Sequence, residues 1–322
     1  MATGGSGPSM LITGVSGFVA KRLAAYYASN GYQVRGIRHV SPAPDLNVDI
    51  ETLDITDRDS VLAYFANHDF ESVIHCAGIA HQGTSAQPRR EMMLVNLEGS
   101  RNIFDGAASY KGLKRVVFFS STAVYDESQP HLETAETADC NPVGDYGYSK
   151  LLAEQNGLRR YVETGFPLVV LRFCPIYGPE RLIDVEKRIT RPGGLYFLVG
   201  SGNQRLSLCS ICNVVEAVDI ALQKESMVGQ IFNVADAEPY SRKEILQVYS
   251  PALDRPGLTV RIPVLLLRLL IDLLTVLRPS QKPVYQSYFH KLAGEAVFDI
   301  HKIMAEGYVG AERLERTIRG EC

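Results

Sequence analysis

Met10-Leu11-Ile12-Thr13-Gly14-Val15-Ser16-Gly17-Phe18-Val19-Ala20 is a short apolar run, a turn punctuated by glycines, and the start of a helical pattern that continues through Leu23, Ala24 and Tyr27. The run reads as a strand feeding a helix. The first amides of such a helix have no intrahelical partner and can face a diphosphate, with Gly14 and Gly17 standing where a side chain would block the approach. Ala20 occupies the place where a third glycine would allow the closest packing of helix on strand.

Working outward, strand-like runs at residues 9–13, 33–38, 72–77, 115–120 and 168–173 alternate with helical patterns. This alternation predicts an α/β fold: a Rossmann-type doubly wound parallel sheet covered on both faces, with ligands at the carboxyl ends of the strands. After Tyr177 the alternation loosens and Gly and Pro cluster at 178–179 and 192–194. The expected organisation is a disordered leader at 1–8, a dinucleotide-binding domain at 9–177 with core elements returning from the C-terminal half, and a smaller C-terminal substrate lobe at 178–322.

Composition narrows the class. The 322 residues carry a net charge of −3 with no polybasic stretch, which argues against a nucleic-acid partner. Six cysteines at irregular spacing read as reduced thiols, and the Cys209/Cys212 pair lacks a second pair, so it reads as part of a strand at 206–211 and no metal site is expected. The small, flexible opening is no signal peptide, which points to the cytoplasm. The leucine-rich segment 262–277 is interrupted by Pro263, Arg268 and Asp272, so no transmembrane segment is expected. Arg268, Asp272 and Thr275 share one stripe with leucine on the rest, which predicts a mostly buried helix, with shallow membrane association as the sharper alternative.

Tyr146-Gly147-Tyr148-Ser149-Lys150 places a phenol and an amine four residues apart, on one face of a helix. A neighbouring ammonium favours phenolate over phenol, so Lys150 tunes Tyr146 towards exchanging a proton with an alcohol or carbonyl oxygen.

With both motifs placed, the chain resembles the extended short-chain dehydrogenase/reductase family, of the epimerase/dehydratase type, over most of its length. Thr13 to Val19 resembles the family's cofactor loop and Tyr146 to Lys150 its YxxxK. Val73-Ile74-His75-Cys76-Ala77-Gly78 resembles the fourth-strand segment that lines the cofactor, and Val95 to Asn102 the VNxxGTxN helix. Phe119-Ser120-Ser121-Thr122-Ala123-Val124-Tyr125 resembles SSxxVY, and Leu171 to Pro179 matches LRxxxxYGP. The resemblance implies Ser121, Tyr146 and Lys150 as catalytic residues, with Ser121 holding the substrate oxygen. It implies Gly14, Ser16, Gly17, Phe18, Val19, Asp54, Ile55, Cys76, Ala77, Gly78 and Asn96 around the cofactor, together with Tyr146 and Lys150. Asn96 is expected to order the backbone near the lysine; Asp54 is also readable as a helix N-cap. On the substrate side it implies Tyr177 and Arg205, the last as a diphosphate contact; Thr122, adjacent to Ser121, could substitute for that serine, and the place of His81 just beyond the fourth strand makes it a candidate to touch the sugar, with an ordinary loop histidine as the alternative.

Arg38 stands at the end of the second strand, where NAD enzymes of this type carry an acid for the ribose hydroxyls. A cation there suits a 2′-phosphate, so NADP is the expected cofactor, with Arg35 or His39 assisting and NAD as the alternative. Thr122 and Ala123 replace the Asp-Glu pair of the sugar 4,6-dehydratases. Pro175 replaces the usual asparagine of sugar epimerases. The resulting expectation is an NADP-dependent reductase of the 4-keto group of a nucleotide-activated sugar, in surface polysaccharide assembly. The alternatives are a 4-epimerase with tightly bound NAD, a reductase or dehydrogenase of a bulky apolar alcohol such as a sterol, and a non-catalytic dinucleotide-binding protein. Pairing through the helices near 91–110 and 146–164 makes a homodimer the expected assembly.

Overall fold

The apolar run that opens the chain forms β1 (Ser9–Thr13), whose residues from Met10 onward are fully enclosed. In this computed structural model residues 7–42, 45–80, 89–191, 195–252, 254 and 257–321 are described. β1 lies at the centre of a sheet with β2 (Gln33–Arg38), β3 (Asp49–Thr52), β4 (Ser72–His75), β5 (Arg115–Ser121), β6 (Leu168–Phe173) and β7 (Ile231–Val234). The order is β7-β6-β5-β4-β1-β2-β3, and every pairing from β5 through β4, β1 and β2 to β3 is parallel. Strand order reverses between β1 and β4, the position at which doubly wound sheets bind ligands.

The chain divides into two compact units. The first comprises residues 1–121, 145–172 and 218–232; the second comprises 122–144, 173–217 and 233–322. The leader expected at 1–8 lies, through residue 6, outside the described residues. Two strands were not legible in sequence: β3 is short, polar and at the sheet edge, and β7 is four residues long. The fourth strand stops at His75 rather than 77, because the chain leaves the ladder there and the Ala77 amide donates to Thr13 Oγ1 instead, at 2.9 Å.

In the first unit, α1 (Phe18–Ser29) buries Ala20, Leu23, Ala24 and Tyr27, the i, i+3, i+4, i+7 stripe of an amphipathic helix. α2 (Arg58–Ala66) is capped by Asp57, which accepts from the Ser60 amide; Asp54 instead closes a local turn on Thr56, so it is not the helix cap. A π-helical turn, Met93–Gly99, leads into α3 (Ser100–Ala108). Gly106 lets α3 press on α2, since a Cβ there would stand 2.2 Å from the Phe65 ring. The long helix α4 (Asp145–Thr164) turns Glu154 inward to a buried ion pair with Arg172 of β6: Nε to Oε1 is 3.0 Å and Nη2 to Oε2 is 2.7 Å. Ser120 of β5 also donates to this carboxylate.

The second unit packs Tyr177, Val185, Tyr196, Leu206, Leu208, Tyr240, Ile245, Tyr249 and Leu314 into its own core. Asp236 is its polar centre. It accepts from the Ser210 amide (2.7 Å), Asn213 (2.6 Å) and the hydroxyls of Tyr177 (2.7 Å) and Tyr240 (2.9 Å). Burial pushes its pKa up to about 6 against the opposing pull of those four donors. Arg242 is buried and donates to the carbonyls of Lys291 and Gly294, satisfying the C-terminal end of helix Lys282–Ala293.

Three sequence expectations are corrected by the structure. Residues 206–211 do not form one strand: Arg205–Leu206 and Cys209–Ser210 are separate two-residue strands, and Ile211 opens a helix that carries Cys212. Cys76, Cys140, Cys174 and Cys209 are free thiols, whereas Cys212 is disulfide-bonded. Helix Val264–Leu277 is not mostly buried either. Only Leu267 and Ile271 are enclosed, while most of its other leucines are exposed.

The Arg172–Glu154 pair generates a stability prediction. Arg172→Leu strands a buried carboxylate and lowers unfolding free energy by about 3–5 kcal/mol in denaturant titrations, whereas the double variant Arg172→Leu/Glu154→Leu recovers much of the loss. A single variant as stable as the parent contradicts this account.

Candidate active site

The reversal point of the sheet is built by close backbone packing. Gly14 has φ of 72°, and a Cβ on it would lie 2.9 Å from the Ala77 Cα. The loop after β1 and the segment after β4 therefore meet with no side chain between them. Gly17 caps α1 without a side-chain bond and no acid sits in the first turn, so the amides around Ser16, Phe18 and Val19 are left to an external acceptor. The cradle fits a dinucleotide diphosphate.

Behind the cradle runs a buried hydrogen-bond relay. The Ala77 amide donates to Thr13 Oγ1, which donates to His75 Nδ1 at 2.7 Å. Ser100 Oγ gives its proton to the Asn96 carbonyl at 2.6 Å and so accepts from His75 Nε2 at 2.9 Å. This assigns the Nε2–H tautomer. Burial, reinforced by the nearby Lys150 charge, lowers the imidazole pKa to about 3, so His75 is neutral. Asn96, in the π-helical turn, has its whole amide satisfied: Oδ1 accepts from the Ile79 amide (2.8 Å), and Nδ2 donates to Ile79 O (2.9 Å) and Ser149 Oγ (2.9 Å). Ser149 in turn donates to the Tyr146 carbonyl at 2.8 Å. Asn96 thus ties the chain beyond β4 to the first turn of α4.

That first turn carries Tyr146, half-buried, and the next carries Lys150, almost fully enclosed. Lys150 Nζ donates to Phe119 O at 2.9 Å and stands 4.9 Å over the Phe118 ring. Both phenylalanines lie on β5 just before Ser121. Burial lowers the Lys150 pKa to about 8, opposed by Cys76 and by Glu154 one helical turn on. Gly78 passes directly over the ammonium, since a Cβ there would lie 3.2 Å from Nζ. Burial holds the Cys76 thiol well above its usual range, so it is a neutral wall of this pocket. Sequence reasoning missed Thr13, His75, Ser149 and Glu154 as supports; the i+4 spacing of Glu154 from Lys150 was the available signal.

At the end of β2, Arg38 Nη1 donates to the carbonyls of His39 (3.2 Å) and Ser41 (2.6 Å), and its Nε is buried without a partner among the described residues. Arg35 is turned towards β3. It pairs with Glu51 at 3.0 Å and Asp49 at 3.6 Å on β3. His39 lies 3.7 Å from Asp54. Ile55 packs under Gly99, and its carbonyl accepts from Asn102 at 2.9 Å.

In the second unit, Thr122 is buried, with Oγ1 3.5 Å from Phe173 O. Tyr177 departs from its expected place at the substrate: it is fully buried with its hydroxyl held by Asp236, which makes it part of the core. Arg205 is half-exposed, 3.8 Å from Glu295. His81 lies outside the described residues. A cavity in this unit is lined by Thr122, His131, Pro175, Arg188, Ser207 and Lys291 among others. Arg188 makes no ion pair or hydrogen bond among the described residues, and burial lowers its pKa. His131 anchors Nδ1 on Thr134 at 3.0 Å and leaves Nε2 buried without a partner among the described residues. Lys291 pairs with Glu127 at 2.8 Å. Glu127 and Glu295 also line it and balance the charges of Lys291 and Arg188, which leaves the Arg188 guanidinium and His131 Nε2 as the groups open to a polar ligand. No motif marked Arg188 or His131 in sequence.

Known proteins agree with this architecture. The UDP-glucose 4-epimerase of Vibrio cholerae is 28% identical over 271 residues, covering 80% of this chain and 79% of the relative. The N-acetyl-alpha-D-glucosaminyl-diphospho-ditrans,octacis-undecaprenol 4-epimerase of Escherichia coli O157:H7 is 24% identical over 333 residues, covering 97% and 95%. Among solved structures, the UDP-glucose 4-epimerase of Thermus thermophilus in complex with NAD superposes with a TM-score of 0.74 at 21% identity, covering 97% and 96% of the two chains. The NAD dependent epimerase/dehydratase family model matches residues 10–235. With the Tyr146–Lys150 helix seated on β5 and the glycine cradle at the reversal of the sheet, the chain belongs to that family: it is an extended short-chain dehydrogenase/reductase, an enzyme of a nicotinamide dinucleotide.

Proposed function

We propose that this protein is a 4-epimerase of a sugar activated by a diphosphate, working with tightly held NAD. The observation that carries the reading is the enclosed Lys150 ammonium four residues after Tyr146, with Thr122 and Ala123, not an acid pair, following Ser121. One tuned phenol suffices to take a proton from an alcohol and return it, whereas loss of water needs a further acid and base. Gly14, Ser16, Gly17, Phe18 and Val19 would hold the diphosphate of NAD, Asp54 and Ile55 the adenine side, and Cys76, Ala77, Gly78 and Lys150 the nicotinamide side. A bound NAD would supply a reversible hydride acceptor for C4 of the sugar.

Lys150 favours the Tyr146 phenolate, which takes the proton of the 4-hydroxyl and later returns it to the opposite face's alkoxide. Ser121 donates to that oxygen and fixes it. Asn96 and Ser149 hold the Tyr146 backbone while this happens. Arg188, His131 and Arg205 are the candidate contacts of the sugar diphosphate. A diphosphate is the chemistry shared by the substrates that the names of the Vibrio and Escherichia relatives state, one on a nucleoside and one on a polyprenol.

A second reading, an NADPH-dependent 4-ketoreductase, is favoured by Arg38 in place of a carboxylate at the end of β2. Against it, the Arg38 guanidinium is turned onto the backbone carbonyls of His39 and Ser41.

Three measurements test the proposal. Tyr146→Phe is expected to lower turnover of a UDP-hexose by about 10²–10⁴-fold with NAD affinity unchanged; a fully active variant refutes the acid–base assignment. Calorimetric titration is expected to give tighter binding of NAD than of NADP, by about tenfold or more, and the reverse order would move the assignment to the reductase. Arg188→Met is expected to raise KM for the sugar diphosphate by about 10–100-fold with kcat little changed, and an unaltered KM removes Arg188 from the binding site.

A further inference from the structure

Helices Val264–Leu277 and Lys282–Ala293 form a hairpin in the second unit. Leu267 and Ile271 anchor it against Val199, Tyr285, Phe289 and Leu292. At about 100° per residue, those anchors fix which arc of the first helix faces inward. The opposite arc, about 140° wide, holds Leu265, Leu266, Leu269, Leu270, Leu273, Val276 and Leu277. Each is between 52% and 76% exposed. Seven such side chains present on the order of several hundred Å² of continuous apolar surface, at the upper end of what a soluble monomer shows. Arg268, Asp272 and Thr275 occupy only the narrow strip between the two apolar faces.

The charges around this face have one predominant sign. Arg261 on the preceding strand, Arg268, Arg278 at the helix end and Lys282 opening the next helix are all exposed, and none forms an ion pair among the described residues. Asp272 is the one carboxylate in residues 261–282. The helix has 14 residues, about 21 Å, and so is too short to cross a hydrocarbon core of about 30 Å; no described helix is long and apolar enough to do so. An apolar arc with a cationic border on a short surface helix has the chemistry of a bilayer-lying element. A twofold contact between copies through the same face would instead bring the cationic border of one copy up against that of the other.

We propose that the exposed leucine face of helix Val264–Leu277, with Arg261, Arg268, Arg278 and Lys282 around it, docks this protein on an anionic lipid bilayer. The proposal does not depend on the reaction proposed above. Flotation of the full chain with phosphatidylcholine vesicles containing one-third phosphatidylglycerol tests it. The chain is expected to float with these vesicles, less with pure phosphatidylcholine, and less again in high salt. Leu269→Glu/Leu273→Glu alters only exposed side chains; it is expected to keep the parent's thermal unfolding and to lose about tenfold or more of the vesicle-bound fraction. A parent chain that stays out of the floated fraction, or a folded double variant that floats as well as the parent, overturns the proposal. So does a parent dimer that the variant turns into a monomer without any vesicle binding. NAD titration on the same preparations separates the two readings, because a chain that floats but binds no NAD keeps the docking face and loses the epimerase.

Discussion

The enclosed ammonium of Lys150 is the constraint around which the first unit is arranged. A cation with almost no access to water is costly unless its surroundings compensate, and here the compensation is specific: the Phe119 carbonyl accepts a hydrogen bond, the Phe118 ring offers its face, and Glu154 lies one turn further along the helix. Each partner comes from β5 or α4, so satisfying the ammonium also fixes the helix on the strand. The same packing delivers Tyr146 and Ser121 to the carboxyl end of the sheet. Glu154 could not sit there alone, and Arg172 from β6 with Ser120 from β5 neutralise and bond it. The proposed chemistry and the architecture therefore share one set of contacts.

The cofactor side depends on a different use of space. Gly14 and Gly78 admit neighbours that any side chain would displace, Ala77 in one case and Lys150 in the other. Holding two bare loops at such separations requires that their backbone groups be bonded elsewhere. The Thr13–His75–Ser100 relay and the Asn96 amide do this, and the low pKa of His75 keeps the relay in a single protonation state across working pH. The π-helical turn fits the same demand, since it carries both Asn96 and, at its exit, Ser100 towards the sheet.

Much of the first unit was legible because its signals are local. The continuous apolar strands, the glycine turn and the Tyr146–Lys150 spacing each follow from chain geometry over a few residues, and the strands at 9–13, 33–38 and 168–173 lie as read. What was not legible depends on distant partners. No local pattern shows that Arg35 is drawn to the acids of an unpredicted edge strand. Tyr177 illustrates the same limit: its motif position suggested the substrate, but Asp236, 59 residues on, claims its hydroxyl. Arg188 and His131 acquire meaning only once folding brings them to one cavity.

The leucine helix shows why amphipathic patterning decides burial less firmly than it decides periodicity. A stripe of Arg268, Asp272 and Thr275 with leucine elsewhere reads as one solvent face and one broad buried face. A helix in a two-helix hairpin, however, can cover only the arc that its partner reaches, and here that arc ends with Leu267 and Ile271. The exposed leucines lie beyond that reach, and a polar strip placed to one side of both apolar faces is the arrangement expected when each face meets a different apolar medium. Periodicity establishes that the segment is a helix; how much of it the fold could cover was decided by the length and placement of Lys282–Ala293, which no residue within 264–277 encodes.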